Sequence, residues 1–254
     1  MGAFVNQRWL VGSAAVAAFL VVWQIVGANE IIRSDLVSYP TEIAASAREL
    51  AASGELGANA LATLREFAEG FAPAIVVGVL LGLGFALSKI VRDLFEPLFV
   101  AMYTAPLIAF VPLLVVWFGV GSTSKSVTTF LAAVVPIAIN TTTGVRETQE
   151  SWIRACRAFG ATRAQIVAKA ILPGALPVVM AGLRLAVGRA IVGVVAAEMY
   201  VSTLGVGRLI QTYSTAGRAA EIFVLVGVVA GFGFVCVGLL RVLENRLAPW
   251  RARA

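Results

Sequence analysis

The sequence predicts an all-α integral membrane protein with six transmembrane helices. Of its 254 residues, 59% are hydrophobic and 13% are charged, and the mean hydropathy is +0.90. Soluble domains average about 45–50% apolar and about 25% charged residues. In addition, the apolar residues form six runs near the length of about 17–25 residues that a membrane-spanning helix needs. Most Lys and Arg residues lie between these runs, as they do in proteins that cross a membrane several times.

The first run, 9–28, is interpreted as a retained helix, because its apolar core is longer than the about 7–15 residues of a cleaved signal peptide. A polar segment, 29–66, follows. Within it, Ile43, Ala47 and Leu50 share one face of a short helix, which suits either a solvated amphipathic connector, the favoured interpretation, or a helix on the membrane surface. The remaining spans are expected at 67–87, 97–118, 127–143, 176–197 and 221–240, and the helix of the first of these could begin several residues before residue 67.

Glycines and prolines in two spans predict close packing and a helix break. Gly78 and Gly82 form a small-xxx-small face that allows another helix to approach closely. Pro106 and Pro112 interrupt the third span, and each removes a backbone donor, so we expect a kinked or broken helix there. Broken helices in membranes often line a transport pathway, although proline is also common in ordinary membrane helices.

Four polar residues within the spans are candidate functional residues, because an ionisable or amide group is costly in a membrane. Asn140 is interpreted as a packing residue that finds a hydrogen bond, with a pathway role as the alternative. Arg184 lies near one end of the fifth span and can anchor the helix by snorkelling. Arg189 lies near mid-span, where it would attract an anion or pair with a carboxylate. Glu198, near the other end, would form a gate, meet an outside partner or make an ion pair.

The Lys and Arg residues outside the spans predict the orientation. Those on the side of both termini are Arg8, Lys89, Arg92, Arg146, Arg154, Arg157, Arg163, Lys169, Arg241, Arg246, Arg251 and Arg253, and those on the opposite side are Arg33, Arg48, Arg65, Lys125, Arg208 and Arg218. The positive-inside rule therefore places both termini and the polar segment 146–175 in the cytoplasm. The net charge of +6 is expected for a membrane protein with excess Lys and Arg at the cytoplasmic ends of its spans, so it is not taken to indicate nucleic-acid binding.

The residue types present exclude several kinds of site. The chain has no His, and its two cysteines, Cys156 and Cys236, lie in a polar and an apolar segment, so a disulfide, a zinc site and His-based catalysis are unsupported. Residues 119–126, GVGSTSKS, nearly match a phosphate-binding loop but have Ser124 where the second glycine should be. We therefore expect no catalytic residue, metal or cofactor in this chain. A membrane-embedded enzyme would need a cluster of reactive side chains facing a cavity, and the sequence shows no such cluster.

The segment 146–175 carries a short helix that needs a partner. Trp152, Ala155, Cys156 and Phe159 have i, i+3, i+4, i+7 spacing and share one helix face. Because this helix is expected outside the membrane, its apolar face requires a groove on another molecule.

A bend and a second helix are predicted directly after it. Gly160 ends the first helix, and Thr162 with Gln165 forms a capping box that begins another. This second helix is expected to stop before Pro173.

The run 154–177, RACRAFGATRAQIVAKAILPGALP, resembles the cytoplasmic EAA loop of permease subunits of bacterial ABC importers. The residues that occupy the positions of that pattern are Ala155, Gly160, Ala161, Ile171 and Pro173. Two residues depart from it, since the pattern has Glu where this chain has Arg154 and Ala where it has Cys156. The missing Glu leaves open whether the usual ion pair with an ATPase is made, and Arg154 could reverse its sign.

Other segments resemble the nitrate, sulfonate and taurine branch of that family. They include Pro106 and Pro112, the run from Trp117 to Gly121, Pro136 with Asn140, Gly182 to Arg184, and Ala197 to Met199 followed by Gly205 to Gly207. The resemblance extends over roughly residues 35–250. It implies a type I ABC importer permease fold, formed by the single domain 1–254, and a protein of the bacterial inner membrane.

The resemblance also implies partners and residue roles. The expected partners are two ATPase subunits that bind ATP and magnesium, an extracytoplasmic solute-binding protein, a second permease copy and membrane lipid. Residues expected to couple to the ATPase are Arg154, Ala155, Cys156, Phe159, Gly160, Ala161, Ile171 and Pro173, and candidates for the translocation pathway are Pro106, Pro112, Trp117, Asn140, Arg184, Arg189 and Glu198. The implied substrate is a small anionic or vitamin-precursor solute such as a sulfonate, taurine or nitrate.

A secondary transporter or channel that works without an ATPase is the alternative function. Six spans with a broken helix would suit it as well. It leaves the EAA-like spacing unexplained, however.

Overall fold

The computed structural model describes residues 2–29, 37–200 and 202–248, with side chains from residue 11 onward. The long helices are α1 (Gly2–Ala28), α3 (Glu55–Leu87), α6 (Ser122–Arg146), α9 (Leu172–Tyr200) and α11 (Ala219–Leu247). The shorter helices are α2 (Pro40–Ala52), α4 (Lys89–Thr104), α5 (Leu107–Phe118), α7 (Glu150–Ala158), α8 (Arg163–Ile166) and α10 (Val206–Thr215). Of the charges used to predict orientation, Arg33, Arg251, Arg253 and the side chain of Arg8 lie outside these described parts.

The predicted all-α membrane fold is confirmed. Within the described residues, five helical stretches are long and apolar enough to cross a membrane, and the bent pair α4 and α5 would make a sixth. The helix that contains the expected span 67–87 begins earlier, at Glu55, and the sequence leaves an earlier helix start open. Its first turns carry Asn59, Thr63 and Glu66 on one face, and that face is buried against neighbouring helices. These turns lack the apolar pattern by which a span is recognised in the sequence, and tertiary contacts of their polar side chains stabilise them.

The centre of the fold is α6, which has α3 and α9 packed against it. The glycine face of α3 makes one of these contacts. A Cβ atom added to Gly78 would lie 2.8 Å from the Cβ atom of Ile137 on α6, and one added to Gly82 would meet Thr141. On α9, Gly182 lies against Asn140 in the same way. The small-residue face predicted at Gly78 and Gly82 is thus confirmed as a surface of close helix contact.

Pro106 breaks the third span as predicted, but Pro112 does not. Helices α4 and α5 meet at an angle of 103°, with Pro106 in extended backbone between them. Pro112 lies in the second turn of α5, which stays helical. A proline close to a helix start removes a single hydrogen bond, and a membrane helix tolerates that loss.

The second helix of the 146–175 segment does not stop before Pro173, so that prediction was wrong. Helix α8 continues through a π-helical turn, Val167–Ile171, directly into α9. In this turn the N–H of Leu172 donates to the carbonyl of Val167, five residues earlier. The wider turn shifts the hydrogen-bond register just before Pro173, whose ring and missing N–H are then accommodated in the first turn of α9.

The amphipathic helix α2 packs its apolar face on protein, and neither a solvated connector nor a membrane-surface helix predicts that contact. Leu50 is buried, and Ile43 and Ala47 pack in the same cluster against α10 and α11. Its apolar face is therefore used within the chain.

We predict that Gly78→Ala destabilises the protein relative to Gly227→Ala. Alanine favours a helix over glycine by about 1 kcal/mol at both positions. At Gly78, however, the new Cβ atom meets Ile137, and overpacking costs about 1–3 kcal/mol. Nothing lies within 4 Å of a Cβ atom at Gly227, which makes it the matched control. Unfolding curves of the two detergent-solubilised variants measure the difference, and equal shifts would contradict the packing described here.

Candidate functional site

Helix α7 makes few packing contacts with the rest of the described chain. None of its nine residues, all described, is buried, and Phe159 directly after it is 91% exposed. Trp152 is also exposed. The predicted face is divided, however, because Cys156 packs with Ile153 against the cluster of Ile166 that belongs to the chain itself. Phe159 and Trp152 therefore remain for an external partner, and Cys156 supports the segment from inside.

The bend after α7 has the predicted geometry. Gly160 has a φ of +73°, in the left-handed region that favours glycine. The capping box is also present, since the N–H of Gln165 donates to Thr162 Oγ1 at 3.3 Å and the N–H of Thr162 donates to Gln165 Oε1 at 2.8 Å. The bend therefore fixes the direction in which α7 leaves the helix that continues into α9.

The departures from the EAA pattern, Arg154 and Cys156, differ in exposure. Arg154 lies 3.9 Å from Glu150, and both side chains are exposed, so this ion pair contributes at most about 0.3–0.5 kcal/mol. Ala155 is exposed beside it, and Ala161 is half-buried. By contrast, Ile171 is buried in the cluster beneath α7 and has no surface to offer a partner.

A cavity of about 450 Å³ lies where the α4–α5 break meets α6 and α9. Its walls are mostly aliphatic, and this volume lies in the usual range for small-molecule sites. Two of the predicted pathway residues, Pro106 and Arg189, line the cavity. Among the described lining residues, Arg189 alone carries a charge.

The Arg189 guanidinium contacts an aromatic ring and no acid. Its Cζ atom lies 4.1 Å from the centre of the Tyr103 ring, a cation–π contact worth about 0.5–2 kcal/mol. No carboxylate of the described residues lies within ion-pair distance of it. Insertion scales give the cost of an arginine in mid-membrane as about 2.5–3.5 kcal/mol. The ring therefore offsets only part of the cost of this charge.

The other predicted pathway residues lie outside this cavity. Asn140 donates to the carbonyl of Pro136 at 2.8 Å in its own helix, which satisfies its amide where it packs on Gly182. Pro112 and Trp117 are exposed on α5. Asn140 thus has the geometry of a packing residue.

Arg184 forms an ion pair with Glu244 of α11. The pair joins α9 to the last long helix. Because the carboxylate is nearly buried, this geometry is that of a structural anchor.

Glu198 belongs to a buried group of polar side chains at the end of the core opposite α7, and we call Asn59, Thr63, Glu66, Lys125 and Glu198 the distal polar cluster. Thr63 donates to Glu198 at 2.6 Å, and the N–H of Gly207 donates to the other carboxylate oxygen at 2.7 Å. Lys125 pairs with Glu66 and donates to Ser202 at 3.0 Å. The cluster joins α3, α6 and α9 through charged and polar groups.

The cluster also fixes the chain between α9 and α10. Asn59 accepts a hydrogen bond from the N–H of Gly205 at 2.8 Å, and Thr63 accepts one from Val206 at 2.9 Å. Sequence reasoning missed Asn59, Thr63 and Glu66, although their i, i+4, i+7 spacing on a helix could have revealed a shared polar face. Lys125, which the sequence placed in a loop, is 5% exposed.

Comparison with known proteins identifies the class of protein that has this arrangement. Residues 74–249 match the family described as binding-protein-dependent transport system inner membrane component. The chain belongs to this family. It is a membrane-embedded permease subunit of an ABC importer, a non-catalytic subunit that works with a separate ATPase chain and a solute-binding protein.

Similar permeases cover nearly the whole chain. The taurine transport system permease protein TauC of Escherichia coli (strain K12) is 31% identical, with 92% of this chain and 87% of TauC aligned. The putative aliphatic sulfonates transport permease protein SsuC of Bacillus subtilis (strain 168) is 30% identical, over 96% of this chain and 88% of SsuC. The nitrate import permease protein NrtB of Synechocystis sp. is 29% identical, over 93% and 88%.

Solved transporters share the fold of this permease. An amino acid ABC transporter chain superposes with a TM-score of 0.58 at 16% identity, covering 74% of this chain and 92% of its own. A chain of the inward-facing MetNI methionine ABC transporter superposes with a TM-score of 0.53 at 26% identity. The superposition covers 74% of this chain and 90% of the MetNI chain. The type I importer fold implied by the EAA-like loop is thus confirmed.

We predict that Lys125→Met strongly destabilises the permease, because it leaves the buried Glu66 carboxylate without its partner. Breaking a buried pair in this way costs about 3–5 kcal/mol. Lys89→Met, at an exposed position, is the matched control and should change stability by no more than about 0.5 kcal/mol. The double variant Glu66→Gln with Lys125→Met should recover part of the loss. Thermal unfolding in detergent measures all three, and equal stability of both lysine variants would refute the pair's role.

Proposed function

We propose that two copies of this permease form the translocation unit of an importer in the bacterial cytoplasmic membrane, with both termini and α7 in the cytoplasm. Each copy binds one ATPase subunit, which holds ATP and magnesium. The solute-binding protein delivers a small anionic solute to the opposite side. Taurine, aliphatic sulfonates and nitrate, which the names of the relatives contain, all carry an anionic oxygen-bearing group, and this supports a substrate with such a group.

The exposed Phe159 is the observation that carries the coupling part of this proposal. An aromatic side chain that is 91% exposed at a helix end gains about 1.5–3 kcal/mol on full burial, so a groove on a partner would bind it. The bend at Gly160, α8 and the π turn connect Phe159 to α9, one of the three central helices, through a continuous run of hydrogen-bonded backbone. Movement of the ATPase would therefore reach the core through α8 and α9.

The positive charge of Arg154 on α7 suggests that the ATPase groove carries a carboxylate. The exposed Arg154 has only a weak partner in Glu150 and is free to face a carboxylate of the ATPase. Arg157 is also exposed on this helix. The pairing would have the opposite sign to the one in relatives that carry Glu at the first position of the EAA pattern.

We predict that Phe159→Asp abolishes co-purification of the ATPase and ATP-driven uptake, because a carboxylate cannot enter an apolar groove. Phe159→Leu is the matched control and should retain both, since it keeps an apolar side chain. Membrane insertion and thermal stability should be unchanged in both variants, because Phe159 has almost no contacts within the chain. Wild-type ATPase stoichiometry and uptake in Phe159→Asp would exclude this docking mode.

A further inference from the structure

We propose that Arg189 and Tyr103 form a binding site for a small organic anion that has an aliphatic tail. The site is the cavity between the α4–α5 break, α6 and α9. As the substrate site of the importer it rests on the proposed function, whereas the binding itself is a property of this cavity.

The head group of the ligand follows from the charge of Arg189. A guanidinium offers several donors in one plane and matches the oxygens of a sulfonate or carboxylate. The acidic residues near its helices have other partners, since Glu96 of α4 lies near Arg146 and Glu198 of α9 belongs to the distal polar cluster. Within the described chain the Arg189 charge therefore has no counter-ion, and a bound anion would supply one.

The tail of the ligand follows from the walls of the cavity. Leu107, Ile108, Val111, Leu131 and Val192 surround the space next to Arg189. Burial of aliphatic groups against these side chains is favourable, at about 25 cal/mol per Å² of apolar surface. A nitrate ion would leave this apolar surface unused. The ammonium group of a zwitterion would meet no carboxylate among the described lining residues, and its desolvation would oppose binding.

Tyr103 is a positioning residue in this site. Its ring holds the guanidinium at 4.1 Å and keeps it directed toward the cavity. The contact needs the face of an aromatic ring and not the hydroxyl group. Because Tyr103 lies three residues before Pro106, a change of the α4–α5 angle would move the ring relative to Arg189.

The test measures ligand binding to the detergent-solubilised permease–ATPase complex without the solute-binding protein, by isothermal titration calorimetry. The probe is butane-1-sulfonate, compared with butan-1-ol, nitrate and taurine. We expect butane-1-sulfonate to bind at least tenfold more tightly than each of the other three. Butan-1-ol keeps the alkyl tail without the charge, and nitrate keeps the charge without the tail. Taurine adds an ammonium group, for which the described lining residues offer no carboxylate.

Variants assign the binding to the two residues. Arg189→Met should weaken butane-1-sulfonate binding at least tenfold, and Arg65→Met, at an exposed arginine outside the cavity, should leave it unchanged. Tyr103→Phe should bind like the wild type, whereas Tyr103→Leu should lose about threefold to tenfold. A purely structural role of Tyr103 would instead weaken the stability of both Tyr103 variants and not separate their affinities.

The proposal is overturned if Arg189→Met binds the probe as the wild type does, or if butan-1-ol, nitrate or taurine binds as tightly as butane-1-sulfonate. Such a result with normal ATPase co-purification would remove the anion site and leave the importer assignment intact. Loss of ATPase binding in Phe159→Asp concerns only the coupling site, so the two proposals fail separately.

Discussion

The packing of α3 and α9 against α6 is the interaction on which the rest of the structure depends. Backbone-to-side-chain contacts at Gly78, Gly82 and Gly182 bring three long helices close enough to act as one unit. In a membrane the hydrophobic effect does not drive helices together, so van der Waals packing at such close contacts is a main source of stability. The same three helices carry α7 at one end and the distal polar cluster at the other, so both sites are positioned by one core.

Charged side chains in the core and in the cavity differ in their partners. Arg184 forms an ion pair with Glu244, and Lys125 forms one with Glu66. Each of these ion pairs joins two helices. Arg189, which is exposed, contacts the ring of Tyr103 and pairs with no carboxylate of the described residues. In the proposed anion site, the ligand itself would complete the charge balance of Arg189 beside an aliphatic wall, and it could leave again.

The sequence predicted the helices whose pattern is local and failed where a distant contact decides the structure. The apolar helices, the break at Pro106 and the capping box at Thr162 all follow from short-range chemistry; the break and the box are confirmed, and the described residues hold five candidate spans, or six if the bent pair α4 and α5 is one span. The polar first turns of α3 were missed because their stability comes from hydrogen bonds with residues more than a hundred positions away, such as the one between Thr63 and Glu198. The continuous helix past Pro173 was missed because sequence patterns do not show a π turn.

A structure of the assembled permease–ATPase complex with butane-1-sulfonate would show both proposed sites at once. We expect a sulfonate group within hydrogen-bond distance of Arg189 in each permease copy, with the alkyl chain against the aliphatic cavity wall. We also expect Phe159 inside a groove of the ATPase. Arg189 paired with a carboxylate of the second permease copy, with no ligand in the cavity, would rule out the anion site.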